Sequence, residues 1–153
     1  MAEDLRELER WLAQMVQNLT PGERMRALRR MGGALGTSTG RRIAAQQNPD
    51  GSAFVPRKKG KPRRTGQPKS GPMFRRLRMA RFLRKQVDQD RLSISFAGGA
   101  ERIARPHQLG LRGKVNADGT GPEYTYPRRQ VLGMTDADMD AIRTIALDMV
   151  RGK

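Results

Sequence analysis

The chain contains no cysteine, which excludes a disulfide framework, a thiol nucleophile and a thiolate metal site. It has one histidine, His107, too few for a histidine-built zinc centre and a poor basis for a Ser–His triad. Aromatic residues make up 5% of the chain, a thin supply for a sheet that stacks bases. No run approaches the ~18 apolar residues of a membrane span. The amino terminus is acidic and amphipathic, unlike a signal peptide. Carboxylates are scarce too, with 15 Asp and Glu against 31 Lys and Arg, for a net charge of +16. These absences point to a soluble binding or structural protein of a reducing compartment, not an enzyme, with no cofactor, metal or membrane. The charge calls for a polyanion or an acidic protein as partner.

What is present fits one domain of 153 residues, with residues 1–47 as a helical amino-terminal part. Leu5, Leu8, Leu12, Met15 and Leu19 are spaced three, four, three, four, a helical stripe thickened by Trp11 and Val16. Glu3, Asp4, Glu7 and Glu9 sit early in that helix, where its dipole favours acid. The stripe either packs on its own domain or docks on another subunit. Thr20, Pro21 and Glu23 form a capping box with proline at the first helical position, starting a second helix. Its glycines, Gly32, Gly33, Gly36 and Gly40, either allow close packing or mark a break before helix resumes over 41–47.

Asn48-Pro49-Asp50-Gly51 ends the helix in a turn, and Phe54 and Val55 follow as an apolar anchor. Residues 57–85 then carry 13 Lys or Arg and no acid. The part from 57 to 72 has no large apolar residue and reads as a mobile loop. Arg57, Lys58, Lys59, Lys61, Arg63 and Arg64 are its candidate contacts to DNA or another polyanion. Residues 73–85 fit an amphipathic basic helix, with a strand in part of the segment as the alternative. Leu92, Ile94 and Phe96 alternate with serines as a half-buried strand. Residues 100–109 read as a short helix with Ile103 and Ala104 inward, disturbed by Pro106. Residues 111–128 read as a loop or hairpin turning at 116–119, with Tyr124 and Tyr126 on one face. Thr135 caps a last helix whose stripe is Met139, Ile142, Ile145, Ala146, Met149 and Val150. The expected fold is α/β of the α+β kind. It has amino-terminal helices, a small, mostly antiparallel sheet and a carboxy-terminal helix packed on that sheet.

Four motifs in order carry a family resemblance. The first is Arg41-Arg42-Ile43-Ala44-Ala45-Gln46-Gln47-Asn48-Pro49-Asp50-Gly51-Ser52 with Phe54 and Pro56-Arg57-Lys58. Next come Met73-Phe74-Arg75-Arg76-Leu77-Arg78 and Arg102-Ile103-Ala104-Arg105-Pro106-His107-Gln108-Leu109-Gly110-Leu111-Arg112. The last is Tyr126-Pro127-Arg128-Arg129-Gln130-Val131-Leu132-Gly133-Met134-Thr135. Together they resemble the tailed-phage virion morphogenesis family, whose members are tail completion proteins. The resemblance implies a structural virion protein at the head-proximal end of a tail, as terminator or head–tail joining part. It implies a fold like that of neck and tail-terminator proteins and a ring of identical subunits, six being the natural number and twelve the alternative for a portal-side ring. Implied partners are the tail tube or sheath, neck or connector proteins, and genomic DNA in the lumen. The place implied is the virion, reached by assembly in the host cytoplasm. Candidate subunit contacts are Leu5, Leu8, Leu12, Met15, His107, Tyr124, Tyr126 and Arg128. The competing reading from the basic charge alone is a small nucleic-acid-binding regulator.

Overall fold

The structure, a computed structural model, describes residues 2–17, 19–58, 71–115 and 118–152. Helices α1 (Ala2–Gln17) and α2 (Pro21–Ala44) are followed by strands β1 (Leu83–Val87) and β2 (Leu92–Phe96). Helix α3 (Gly99–Leu109), strands β3 (Arg112–Lys114) and β4 (Glu123–Thr125), and helix α4 (Asp136–Val150) complete the order. The class is α+β, with two separate two-stranded antiparallel sheets among the described residues.

Helix α2 is the spine. Its start is the capping box read from sequence: Glu23 N–H donates to Thr20 Oγ1 at 3.3 Å and Thr20 N–H to Glu23 Oε2 at 2.7 Å. The β1–β2 hairpin lies along it, pairing Leu83 with Phe96 at one end and Val87 with Leu92 at the other. An Arg24–Asp90 ion pair of 3.1 Å ties the hairpin tip to the start of α2. The glycines of α2 do not break it; they seat the hairpin. A Cβ on Gly32 would lie 2.9 Å from Leu92 Cδ1, and one on Gly36 would lie 3.0 Å from Lys85 Cδ. Gly33 meets nothing within 4 Å. Gly33→Ala is therefore expected to gain up to ~1 kcal/mol in helix propensity. Gly32→Val forces a branched side chain into Leu92 and is expected to lose ~1–3 kcal/mol. Paired thermal melts check the opposite signs.

The core gathers at the far end of α2, where Ile43, Phe54, Leu77, Leu83, Phe96, Ala100, Ala104 and Val131 are buried together. Helix α4 starts on a second capping box, Thr135 with Asp138. It packs against α2 and not on a sheet, which corrects the expected layer order. The hairpin already occupies the face of α2 that its glycines open, so α4 takes another.

Residues 73–82 form successive turns instead of a helix, and strand β1 follows. Phe74 has φ +63°, a left-handed conformation that no helix continues. The bonds run three residues back, from Leu77 N–H to Phe74 O and from Phe82 N–H to Met79 O. A helix here would also stack Arg75, Arg78 and Arg81 at repulsive i, i+3 spacing. Ile103 is exposed, against expectation, because Ala100 and Ala104 form the inward face of α3. Helix α2 ends at Ala44, before the expected Gln47, because Gln46 takes φ +58°.

Candidate functional site

All four sequence motifs converge at the carboxy-terminal end of α2. Arg42, buried on the α2 stripe with Leu35, Thr39 and Ile43, spreads its guanidinium over three carbonyls. It donates to Gln47 O at 3.1 Å, Gln130 O at 2.7 Å and Val131 O at 3.0 Å. Asn48 Oδ1 accepts from Gln130 N–H at 2.8 Å. Two glutamines clasp backbone in both directions. Gln46 accepts from Met73 N–H at 2.7 Å and donates to Met73 O at 3.0 Å. Gln108 accepts from Leu132 N–H at 2.9 Å and donates to Leu132 O at 3.0 Å. Among the described residues, the two with positive φ that are not glycine are Gln46, within the Gln46–Met73 clasp, and Phe74, which follows Met73. Gly133, at φ +148°, lets residue 133 lie against Pro49, where a Cβ would come within 2.5 Å of its ring.

Arg129 is the second anchor. It is buried, and it donates from Nε to Val55 O at 2.7 Å and from Nη2 to Pro56 O at 3.0 Å. Its Nη1 lies 2.9 Å from His107 Nδ1. Arginine has no acceptor, so Nδ1 is the unprotonated nitrogen and the ring is neutral. Burial, then the Arg129 charge, push the His107 pKa down to about 4; a backbone hydrogen bond at Pro127 opposes them. Burial also lowers the pKa of Arg42, against the pull of Asp138. Burial of Asp138 works against its ionisation. Hydrogen bonds from Ser38 and Thr135, with the Arg42 charge, outweigh that and hold its carboxyl below the usual range.

A row of edge-to-face rings crosses the junction: Phe54–Phe74 at 5.7 Å, Phe74–His107 at 4.9 Å, His107–Tyr126 at 4.9 Å and Tyr126–Tyr124 at 5.2 Å. Lys58 ends the row, its ammonium 5.3 Å from the Tyr124 centroid. The motif residues thus do architectural work. They tie five chain segments to one helix end, and the side chains of Arg42, Gln46, Gln108 and Arg129 spend most of their hydrogen bonds on backbone. Among the described residues, no group of three or more His, Asp or Glu is placed to hold a metal.

The residues singled out from sequence fall in several places. Tyr124 and Tyr126 share a face, as expected, and belong to the ring row with half-buried His107. Arg128 is exposed beside buried Arg129. Arg57 and Lys58 are exposed. Lys59, Lys61, Arg63 and Arg64, with most of the expected mobile loop, lie outside the described residues. Leu12 is exposed and Met15 half-buried, while the side chains of Leu5 and Leu8 are outside the description. Arg75, Arg76, Arg78, Arg81, Arg84 and Lys85 are exposed, and no described ion pair includes them. Arg76 and Arg81 lie over Phe82, at 5.4 and 4.9 Å from its centroid. Sequence reading missed Arg42, Gln46, Gln108 and Arg129 as anchors. A signal was available for Arg42, which occupies an apolar-stripe position of α2.

A family model described as the phage virion morphogenesis family matches residues 3–151. Tail completion protein S of Escherichia phage P2 is 34% identical over 146 residues, covering 94% of this chain and 95% of that protein. No solved structure matches the chain.

Proposed function

Since the chain belongs to the phage virion morphogenesis family, we propose that it is a structural, non-enzymatic virion protein that completes a phage tail. The observation that carries this reading is the likeness to a tail completion protein along 94% of the chain. The junction geometry supports it, because the buried residues of the motifs serve shape and other motif residues face outward, where neighbours can meet them. In its finer form the proposal places the protein at the head-proximal end, as terminator or joining part, in a ring of six identical subunits. Its partners there are the tail tube or sheath and neck or connector proteins, and it is assembled in the host cytoplasm. The basic stretch 57–85 faces the DNA passage, where lysines and arginines meet phosphates without reading sequence.

Depletion tests the proposal. Particles assembled without this protein are expected to show tails that lack a finished upper end or fail to join filled heads, with infectivity near background. Normal infectious particles without it would end the reading. Specific operator binding by a free dimer would favour a regulator instead.

A further inference from the structure

Helix α1 is acidic on a basic protein. It carries Glu3, Asp4, Glu7 and Glu9 against Arg6 and Arg10, while the chain as a whole is +16. Of its apolar stripe, Trp11, Leu12 and Val16 are 54%, 42% and 44% exposed. Among the described residues it makes no extensive contact with another element of the fold. The 3.6-residue period sets Glu9 on one border of the stripe and Glu7 on the other, with Arg6 and Arg10 opposite.

A surface of opposite character lies on the outer side of α3. Arg102, Arg105 and Leu109 fall at i, i+3 and i+7 along one line, and Ile103 lies about 100° round the helix from Arg102. Ile103 and Leu109 are more than half exposed. Among the described residues neither Arg102 nor Arg105 has an ion-pair partner. The arginine-rich turns at 75–81 fit α1 less well, since Met79 is the one large apolar side chain there that is well exposed.

We propose that α1 is a docking arm whose apolar stripe seats on the outer face of α3 in a second copy of this chain. Glu7 and Glu9 then face Arg102 and Arg105. The two surfaces differ, so the contact is head-to-tail and can close into a ring. The proposal deepens the ring reading above and rests on it for the number of subunits, but the docking itself is tested apart from that number.

Trp11 is the one tryptophan of the chain, so its emission reports docking directly. In a dilution series of the full chain, emission is expected to shift to the blue as the protein associates, and added salt should weaken the shift. Glu7→Arg with Glu9→Arg should raise the apparent Kd about tenfold or more, and so should Arg102→Glu with Arg105→Glu. Mixing the two variants, so that reversed α1 meets reversed α3, should restore association. Circular dichroism confirms that each variant folds. No loss in either variant, no recovery in the mixture, or a wild type that stays monomeric would overturn the docking. An α1 reversal that blocks tail assembly while self-association persists would also overturn it, assigning α1 to another tail protein with the tail-completion reading intact. Recovery in a species of two chains would uphold the docking and refute the six-fold ring.

Discussion

Arg42→Ala is expected to lose about 3–5 kcal/mol of folding stability, a large share of the ~5–15 kcal/mol that a domain has. The guanidinium supplies hydrogen bonds to the carbonyls of Gln47, Gln130 and Val131. Bonds from a charged donor are each worth ~1.5–3 kcal/mol, though not additively. Their loss leaves three acceptors without a donor at a site where Val131 is fully buried. It also leaves Asp138 without the nearby positive charge that helps keep it ionised. Arg42→Lys should recover only part of the loss, because an ammonium on a flexible stem cannot reproduce the planar fork. Urea unfolding of the three proteins measures this as shifts in midpoint at constant slope. A loss below about 1 kcal/mol in the alanine variant would mean that water replaces the arginine. The junction would then not depend on Arg42.

Acid should weaken the fold through His107. Its folded pKa, about 4, lies below the ~6.5 of an unfolded histidine. The unfolded chain therefore takes up the proton first. The stabilisation from the neutral ring is complete above about pH 6.5, falls as pH drops, and is lost by about pH 4. Allowing for solvent at a half-buried ring, the loss should reach about 2–3 kcal/mol. Protonation at Nδ1 would also turn the acceptor for Arg129 into a donor and loosen its hold on Val55 and Pro56. His107 is the chain's single histidine, so the interval from pH 6.5 to 5, above the ordinary carboxylate range, belongs to it. His107→Gln keeps an acceptor and removes the titration. Its unfolding free energy should stay flat over that interval while the parent's declines. Parallel curves for the two proteins would assign the acid sensitivity elsewhere.

Short-range signals were legible in the sequence. The Thr20 and Thr135 caps, the serine-alternating strand at 92–96 and the glycine that ends α3 all sit where local rules put them. Each depends on a few neighbouring residues, and no distant partner competes. The segment at 73–85 misled because its apolar spacing satisfies a helix, while the Gln46–Met73 clasp and the pairing of β1 with β2 are long-range contacts.

The sequence by itself determined the element types at both ends of the chain, the excess of positive charge, and the exclusion of thiol and multi-histidine chemistry. Those properties follow from composition and from periodicities within a few turns. Only the tertiary structure decided that Arg129 turns inward and Arg128 outward, because neighbouring residues in an extended stretch point opposite ways and nothing local says which side is covered. It likewise decided that the α2 glycines are a seat for Leu92 and Lys85 and that Trp11, Leu12 and Val16 of α1 are left exposed. Both outcomes depend on where a surface far along the chain comes to rest. Periodicity shows that a helix has an apolar face, but what covers that face depends on the rest of the fold.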